Sequence, residues 1–223
     1  RSVGVTGVQT CALPILRRVI FPILILALLS GCATHTSAPD TRYYTLEYAP
    51  PETSGQPVRA VVALSHFGVA PEFNTPKLIY RDLAFGRQDY PYHQWRAAPQ
   101  TLIMDYLRRD LRQSGLFLAV VGPGSSLPPT HQLEGLLEEW MEVDTDRHWL
   151  ASAALTVTLL DARAGDTTGM VLFQKTYRES EPCARKNPAS VAEAMSRAVQ
   201  KMSGRIITDV HAAIAGRKPG GKP

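Results

Sequence analysis

Residues 151–159 have the sequence ASAALTVTL, in which apolar side chains alternate with small or polar ones. The apolar positions are Ala151, Ala153, Leu155, Val157 and Leu159, and Ser152, Thr156 and Thr158 lie between them. A period of two predicts a β-strand with one buried face. Residues 165–169 form a glycine-bounded turn signal and residues 170–179 a second strand, so we predict an antiparallel hairpin.

A long helix is predicted after this hairpin. Asn187 is a favourable N-cap, and Pro188 fits the first helical position, where an N–H is not needed. One apolar stripe then continues over about seven turns and contains Val191, Met195, Ala198, Met202, Ile206, Val210 and Ala213. Gly204 interrupts this helix at a cost of ~1 kcal/mol relative to Ala.

A shorter helix is predicted to begin at Pro99 and to end at Ser114-Gly115. Its apolar face contains Leu102, Ile103, Tyr106, Leu107 and Leu111. Its opposite face contains Arg108, Arg109 and Arg112, and Asp105 is spaced to pair with Arg108 or Arg109.

Further strands are predicted at residues 43–48, 59–67, 77–83, 85–92 and 116–121, and those at 59–67 and 116–121 are expected to be buried. Pro91 confines the 85–92 strand to a sheet edge or a bulge, because proline has no N–H for the ladder. The apolar side chains of residues 131–146 fit both a helical stripe and one face of a strand, and periodicity does not decide between them.

These elements predict a single-domain α/β protein over residues 43–215. Two long α-helices, including the C-terminal one, are expected to pack on a mixed β-sheet. Residues 216–223 are basic and rich in Gly and Pro, so we expect a disordered tail.

The N-terminal part of the chain has the layout of an export signal. Arg17 and Arg18 precede an apolar run, and Leu29-Ser30-Gly31-Cys32 resembles a bacterial lipobox, whose cysteine carries lipid after cleavage. The apolar run spans ~16 Å as a helix, well short of the ~30 Å of a bilayer core. We therefore expect a signal peptide at residues 16–31, lipid on Cys32 and a flexible tether over residues 32–42.

Residues 1–15 are expected to be sequencing-adapter sequence, because residues 5–15 back-translate into a common adapter. Without residues 1–31, which contain three arginines and no acid, the chain keeps 21 of its 24 basic side chains and all 20 acidic ones. This near-neutral balance argues against a nucleic-acid partner.

Without residues 1–31, Cys183 is the remaining thiol beside Cys32. The nearby Arg185 and Lys186 would lower its pKa, whereas a partly buried thiol would be inert.

The sequence contains no motif that indicates catalysis or metal binding. None of the six histidines has metal-ligand spacing to another, and there is no G-x-S-x-G nucleophile elbow. Acidic residues concentrate at 134–146, a pattern more typical of a solvated face than of paired catalytic carboxylates. We expect no enzyme activity, no metal and no cofactor other than the covalent lipid on Cys32.

Residues 80–96 are the best candidate for a partner surface. The candidate side chains are Tyr80, Arg81, Tyr90, Tyr92, Trp95 and Arg96. Tyr, Trp and Arg dominate the hot spots of protein interfaces. The alternative is that the aromatic side chains pack on the core, and both hold if successive residues face opposite sides of the sheet.

The order of several segments resembles the ABC-type transport auxiliary lipoproteins, which include the lipoprotein of the paraquat-inducible (Pqi) system. The matching segments are the lipobox, Tyr43-Tyr44-Thr45-Leu46, Leu78-Ile79-Tyr80-Arg81, Tyr92-His93-Gln94-Trp95, Pro99 with its helix, and Ser114-Gly115-Leu116-Phe117. The resemblance covers residues 43–214 and implies that residues 131–146 form a strand.

The same resemblance implies a non-catalytic component of an MCE-type ABC system for intermembrane lipid or solvent transport. It implies an MCE-domain periplasmic protein as the partner and a lipid-anchored position on the periplasmic face of the outer membrane of a Gram-negative bacterium. Ala33, rather than Asp, follows Cys32 and agrees with outer-membrane sorting. A homo-oligomer is a further option. The alternative functions are a periplasmic hydrolase with an acid pair within residues 138–146 and a structural envelope-assembly lipoprotein.

Overall fold

A computed structural model describes Gly4, residues 39–82 and residues 84–216. The predictions for residues 1–15, the signal peptide at 16–31, the lipobox, lipidated Cys32, most of the tether and the tail from residue 217 fall outside these described residues. From Thr41 onward, the described residues form one compact unit.

In chain order, the strands of the described residues are β1 (Arg42–Tyr44), β2 (Val58–Val69), β3 (Lys77–Arg81), β4 (Gln88–Trp95), β5 (Phe117–Val121), β6 (His131–Asp144), β7 (Trp149–Asp161) and β8 (Val171–Pro182). The helices are α1 (Pro99–Gln113), the short α2 (Thr167–Met170) and α3 (Pro188–Gly216), and a 3₁₀ turn spans Pro71–Phe73.

The predicted hairpin is formed by β7 and β8, which pair antiparallel with Leu155 opposite Tyr177. The side chains of Ala153, Leu155 and Val157 are buried, as their alternation predicted. On the other face, Thr156 and Thr176 share a hydrogen bond of 2.7 Å between their hydroxyl groups. The hairpin therefore has one apolar face and one polar face.

Strand β6 organises the sheet because three strands pair with it. One edge pairs antiparallel with β7 from end to end. The other edge pairs in parallel first with β2, at residues 131–137, and then with β3, at residues 142–143. Beyond them, β2 pairs with β5, and β3 pairs with β4, which pairs with β1. The strand that the family resemblance implied for residues 131–146 is confirmed.

Helices α1 and α3 pack against each other and on the same face of the sheet. Side chains of both helices, including Ile103 and Met202, meet Leu155 of β7. The N-cap prediction is confirmed, because the Asn187 Oδ1 accepts a hydrogen bond of 2.9 Å from the Ser190 N–H. The predicted fold class, a single-domain α/β protein with two long helices on a mixed sheet, is confirmed.

Arg109 differs from its prediction, because it does not face away from the core. Its guanidinium lies 4.5 Å from the ring centroids of both Tyr48 and Tyr106. Its Nε donates to Oδ1 of the buried Asp110 at 2.8 Å. The other carboxylate oxygen of Asp110 accepts hydrogen bonds from the hydroxyl groups of Tyr48, at 2.8 Å, and Ser203, at 2.7 Å. A buried carboxylate thus draws the arginine inward.

Two predicted strands also differ in detail. The first strand is limited to Arg42–Tyr44, and the following Leu46 turns into the core. Strand β5 lies at the edge of the sheet, so its Leu118 is 63% exposed.

In helix α1, the predicted ion pair between Asp105 and Arg108 is present, with 2.7 Å between Arg108 Nη2 and Asp105 Oδ1.

Candidate functional site: the aromatic hairpin

Strands β3 and β4 form an antiparallel hairpin that carries most of the predicted partner surface. Ile79 pairs with Asp89, and Lys77 pairs with Gln94. These two pairs are therefore two residues apart on β3 and five residues apart on β4. The extra residues form a bulge that contains Pro91. This placement confirms the prediction of an edge or a bulge, since a bulge leaves residues outside the ladder.

The bulge brings Tyr90 and His93 to one face of β4. Their rings meet edge-on with centroids 5.6 Å apart, and the Tyr80 ring lies 4.7 Å from that of Tyr90. The Tyr44 hydroxyl is 2.8 Å from His93 Nδ1. Burial, followed by the charge of nearby Arg42, lowers the pKa of His93. We call Tyr44, Tyr80, Tyr90 and His93, together with Glu142 beneath them, the hairpin cluster.

Glu142 connects the hairpin cluster to the centre of the sheet. Its side chain belongs to β6 and is 1% exposed. The Tyr90 hydroxyl lies 3.0 and 3.2 Å from its two carboxylate oxygens and donates to them. Burial is the main cause that raises the pKa of Glu142 to about 7, with Asp144 adding to the rise and the Tyr90 hydrogen bond opposing it. Burial and the Glu142 charge in turn raise the pKa of Tyr90.

The structure divides the predicted surface residues between two faces and the core. Tyr80 and Tyr90 are half-buried in the hairpin cluster. Trp95 is 1% exposed and packs edge-on against Trp140 with ring centroids 5.3 Å apart, so it follows the core alternative. Tyr92 is 39% exposed on the opposite face.

Tyr43 is a further exposed aromatic residue beside Tyr92. It pairs with Gln94 across β1 and β4 and is 58% exposed, so alternation places it on the same face as Tyr92. Arg96 is exposed just beyond β4, and Arg81 is half-exposed at the end of β3. We call Tyr43, Arg81, Tyr92 and Arg96 the exposed hairpin surface.

Sequence reasoning missed the contributions of Tyr43, His93 and Glu142 to this region. Glu142 lies 52 residues after Tyr90 in the sequence, and the β3–β6 pairing brings it beneath the Tyr90 ring. Tyr43 could have been found, since it opens the Tyr-Tyr strand that follows the tether.

Cys183 is buried, as the partly buried, inert alternative expects, and the nearby cations do not lower its pKa. Burial raises the pKa of the thiol to about 11, and the charge of Glu142 adds to this rise. Lys186 does not compensate, because its ammonium group points to Thr145, whose carbonyl oxygen accepts a hydrogen bond of 3.1 Å, and to Asp144. The structure therefore supports the inert thiol.

The acidic residues at 134–146 do not share one face. Glu138 lies on the polar face of the sheet, where it accepts hydrogen bonds from Thr156 at 2.7 Å and from Arg178 at 3.2 Å. Glu142 lies on the helix-covered face, opposite Ala151. These two carboxylates cannot act as a pair. Within residues 39–82 and 84–216, no group of three or more His, Cys, Asp and Glu side chains is arranged to hold a metal ion.

A groove of about 670 Å³ follows the outer side of α3, with Gly204 at its floor. Its cations are engaged in ion pairs, such as Lys175 with Asp209 and Arg205 with Glu179, each at 2.6 Å. An acyl chain requires an apolar lining. The groove therefore lacks the chemistry of a lipid-carrying cavity.

The fold and the hairpin define a single-domain α/β protein that presents an ordered aromatic and arginine surface. Residues 44–207 match the sequence profile of the family described as the ABC-type transport auxiliary lipoprotein component. The chain belongs to this family, and the resemblance found in the sequence is confirmed.

Solved structures share the fold at low sequence identity. A protein of Xanthomonas campestris assigned to the DUF330 family has 16% identity and a TM-score of 0.71, with 79% of this chain and 98% of that chain covered. A hypothetical protein of Chlamydia trachomatis has 14% identity and a TM-score of 0.52, with 72% and 100% covered. Identities this low show the fold alone.

No curated protein matches this chain. In the described part of the chain, no helix is both long and apolar enough to cross a membrane.

Proposed function

We propose that this protein is a periplasmic lipoprotein, anchored in the outer membrane, that assists an MCE-type ABC system for intermembrane lipid or solvent transport. Its part is non-catalytic: it binds the MCE-domain periplasmic protein. Membership of the transport auxiliary family supports the general role. The observation that carries the binding role is the exposed hairpin surface, held by the hairpin cluster behind it.

The anchor is the lipid on Cys32, after cleavage of the signal at residues 16–31. The tetrad Leu29-Ser30-Gly31-Cys32 supports this assignment, and Ala33 supports transfer to the outer membrane. The tether over residues 32–42 leads directly into β1, which is the strand beside the hairpin.

The exposed hairpin surface is suited to a protein partner because its support is ordered before binding. Tyr90 joins β4 to β6 through Glu142, and Trp95 fixes the end of β4 in the core. Side chains on such a support lose little conformational entropy when a partner docks. Tyr92 and Arg96 are of the residue types that contribute most in alanine scans of interfaces.

The test is capture of the partner from crosslinked cells. The wild-type chain should retain an MCE-domain protein, and a Tyr92→Ala/Arg96→Ala variant should retain at least tenfold less. Leu118→Ala is the matched control, because Leu118 is exposed on the distant edge strand β5. Repeated failure of the wild type to capture an MCE-domain protein would end this proposal.

The hydrolase alternative requires a substrate to reach Glu142, the acidic residue whose pKa is best suited to acid–base catalysis, and the structure disfavours that access. Glu142 has a pKa near neutrality, yet its carboxylate is covered by Tyr90 and faces the helix layer. A substrate would have to displace that hydroxyl to meet the acid. Glu138→Gln and Glu142→Gln variants with unchanged transport phenotypes would exclude an acid pair. The envelope-assembly alternative predicts sedimentation of the purified chain with peptidoglycan sacculi.

A further inference from the structure

The turn of the β3–β4 hairpin exposes an apolar tip. Residues 82–87 have the sequence Asp82-Leu83-Ala84-Phe85-Gly86-Arg87, with three apolar residues in succession. The Phe85 side chain is 100% exposed, and Ala84 beside it is exposed as well. A phenyl ring that is fully exposed in a hairpin turn gains free energy when an apolar partner covers it.

Two further loops lie at the same end of the sheet as this tip. Arg81, the last residue of β3, pairs with Val143 near the end of β6. The β6–β7 turn at residues 145–148 follows directly, because Asp144 pairs with Trp149. The loop at residues 183–187 is also at this end, since Leu150 of β7 pairs with Pro182 of β8. We call residues 84–87, 145–148 and 183–187, together with the flanking Asp82 and Asp144, the tether end.

The N-terminal side of β1 is directed toward the tether end. Strand β1 runs parallel to β4, with Arg42 beside His93. Residues before Arg42 therefore approach from the side where β4 begins, which is the hairpin turn. Cys32 lies ten residues before Arg42, a separation that spans at most ~35 Å when fully extended. With the lipid on Cys32 that the proposed function requires, the tether end is held close to the bilayer.

The charge at the tether end suits a phospholipid surface. Its basic side chains are Arg87, Arg147, Arg185 and Lys186, and its acidic ones are Asp82, Asp144 and Asp146. Arg87 keeps a loose contact of 3.7 Å with Glu72, and Lys186 lies 3.6 Å from Asp144. The excess of positive charge is small. We therefore expect insertion of the apolar tip and contacts between the basic side chains and lipid phosphates to contribute together to membrane binding.

We propose that the tip docks into the phospholipid surface that holds the lipid anchor, with Phe85 among the acyl chains and the arginines at the headgroups. The anchor already supplies the local concentration, so docking is effectively intramolecular. Burial of one phenyl ring is then enough to favour the docked orientation about tenfold or more. The exposed hairpin surface extends from the tip toward Arg96, which leaves it open to the transport partner.

The test places tryptophan at two exposed positions of the full lipidated chain. Phe85→Trp and, as the matched control, Leu118→Trp are reconstituted in vesicles of phosphatidylethanolamine and phosphatidylglycerol that contain brominated acyl chains. Leu118 suits the control because β5 pairs with the first residues of β2, at the opposite end of the sheet. The buried Trp95 and Trp140 and the half-buried Trp149 give the wild-type background. We expect at least twofold quenching at position 85 above that background and none at position 118.

The outcomes separate this inference from the proposed function. A vesicle-bound chain with equal quenching at both positions, or with none at position 85, overturns the tip contact and leaves the anchor standing. If the chain expressed with its own signal carries no lipid on Cys32 and stays off the vesicles, both the anchor and the tip contact are overturned. A third outcome is that Phe85→Ser loses capture of the MCE-domain protein while Phe85→Trp shows no quenching. That result would assign the tip to the protein partner and overturn membrane docking.

Discussion

At the scale of single residues, the buried carboxyl of Glu142 has the largest consequence. A carboxylate in this position loses water, and the hydrogen bond from the Tyr90 hydroxyl offsets only part of that loss. Charging it therefore costs free energy, and its proton is retained up to about pH 7.

This charge cost predicts a dependence of stability on pH. The folded-state pKa of Glu142 is raised from 4.5 to about 7, so the folded protein binds more protons than the unfolded chain between these values. The free energy of unfolding should fall as pH rises through this window, by on the order of 2–3 kcal/mol in total. Urea unfolding at half-unit steps of pH measures it.

The matched variant for this prediction is Glu142→Gln, which keeps an acceptor for Tyr90 and removes the charge. Its stability should change little across the same window, whereas Glu193→Gln on the exposed side of α3 should behave like wild type. If the free energy of unfolding of the wild type stays level or rises from pH 5 to pH 7, Glu142 does not control the pH dependence of stability.

The residue scale also shows why the binding surface was only partly predictable. The bulge at Pro91 decides that Tyr90 and His93 share a face and that Tyr92 points to the other one. Proline chemistry predicts a bulge or an edge, while the choice between them depends on β1, which adds a strand beyond β4. The sequence therefore indicates the aromatic stretch, and the side of each ring follows from the tertiary pairing.

At the scale of elements, β6 explains why periodicity could not separate a helix from a strand. Leu133 and Leu137 face the core at ordinary strand spacing. The register shifts between Leu137 and Glu139, so Trp140 rather than Glu139 is the next core residue. Apolar spacings of four and then three residues are those of a helix. A single bulge thus imitates helical periodicity.

The two helices are joined at Asp110, and this link gives an element-scale prediction. Tyr48, Arg109 and Ser203 all donate hydrogen bonds to its buried carboxylate. Asp110→Ala leaves these donors unsatisfied, with Arg109 as a half-buried charge, and should lower the free energy of unfolding by about 3 kcal/mol.

Denaturant unfolding with the exposed pair as control checks this value. Asp105→Ala breaks the surface contact with Arg108 and should cost no more than about 0.5 kcal/mol. Equal costs at positions 105 and 110 would mean that the Asp110 network does not hold α1 to α3.

At the scale of the whole molecule, the element types were predictable and the order of the strands was not. The β7–β8 hairpin and the α3 stripe rest on local periodicity, so the sequence predicts them directly. The edge of β6 is shared by β2 and β3, two strands that are separated in the chain from each other and from β6. Such pairings depend on packing against α1 and α3, and no local pattern encodes them.

The arrangement of the whole chain, with its anchor, tether end and exposed hairpin surface, leads to a final prediction about location. With the lipid that we propose on Cys32, the tether keeps the folded unit within ~35 Å of the anchor, a confinement that corresponds to a millimolar effective concentration at the membrane. A chain with Cys32→Ala and an ordinary cleavable secretion signal in place of residues 16–31 should fold with an unchanged Tm, because the described fold begins at β1. It should support transport-linked growth at least tenfold less well than the lipidated chain at matched periplasmic levels, and overexpression should restore part of the difference. Full support from the secreted chain at matched levels would show that anchoring is incidental to its role.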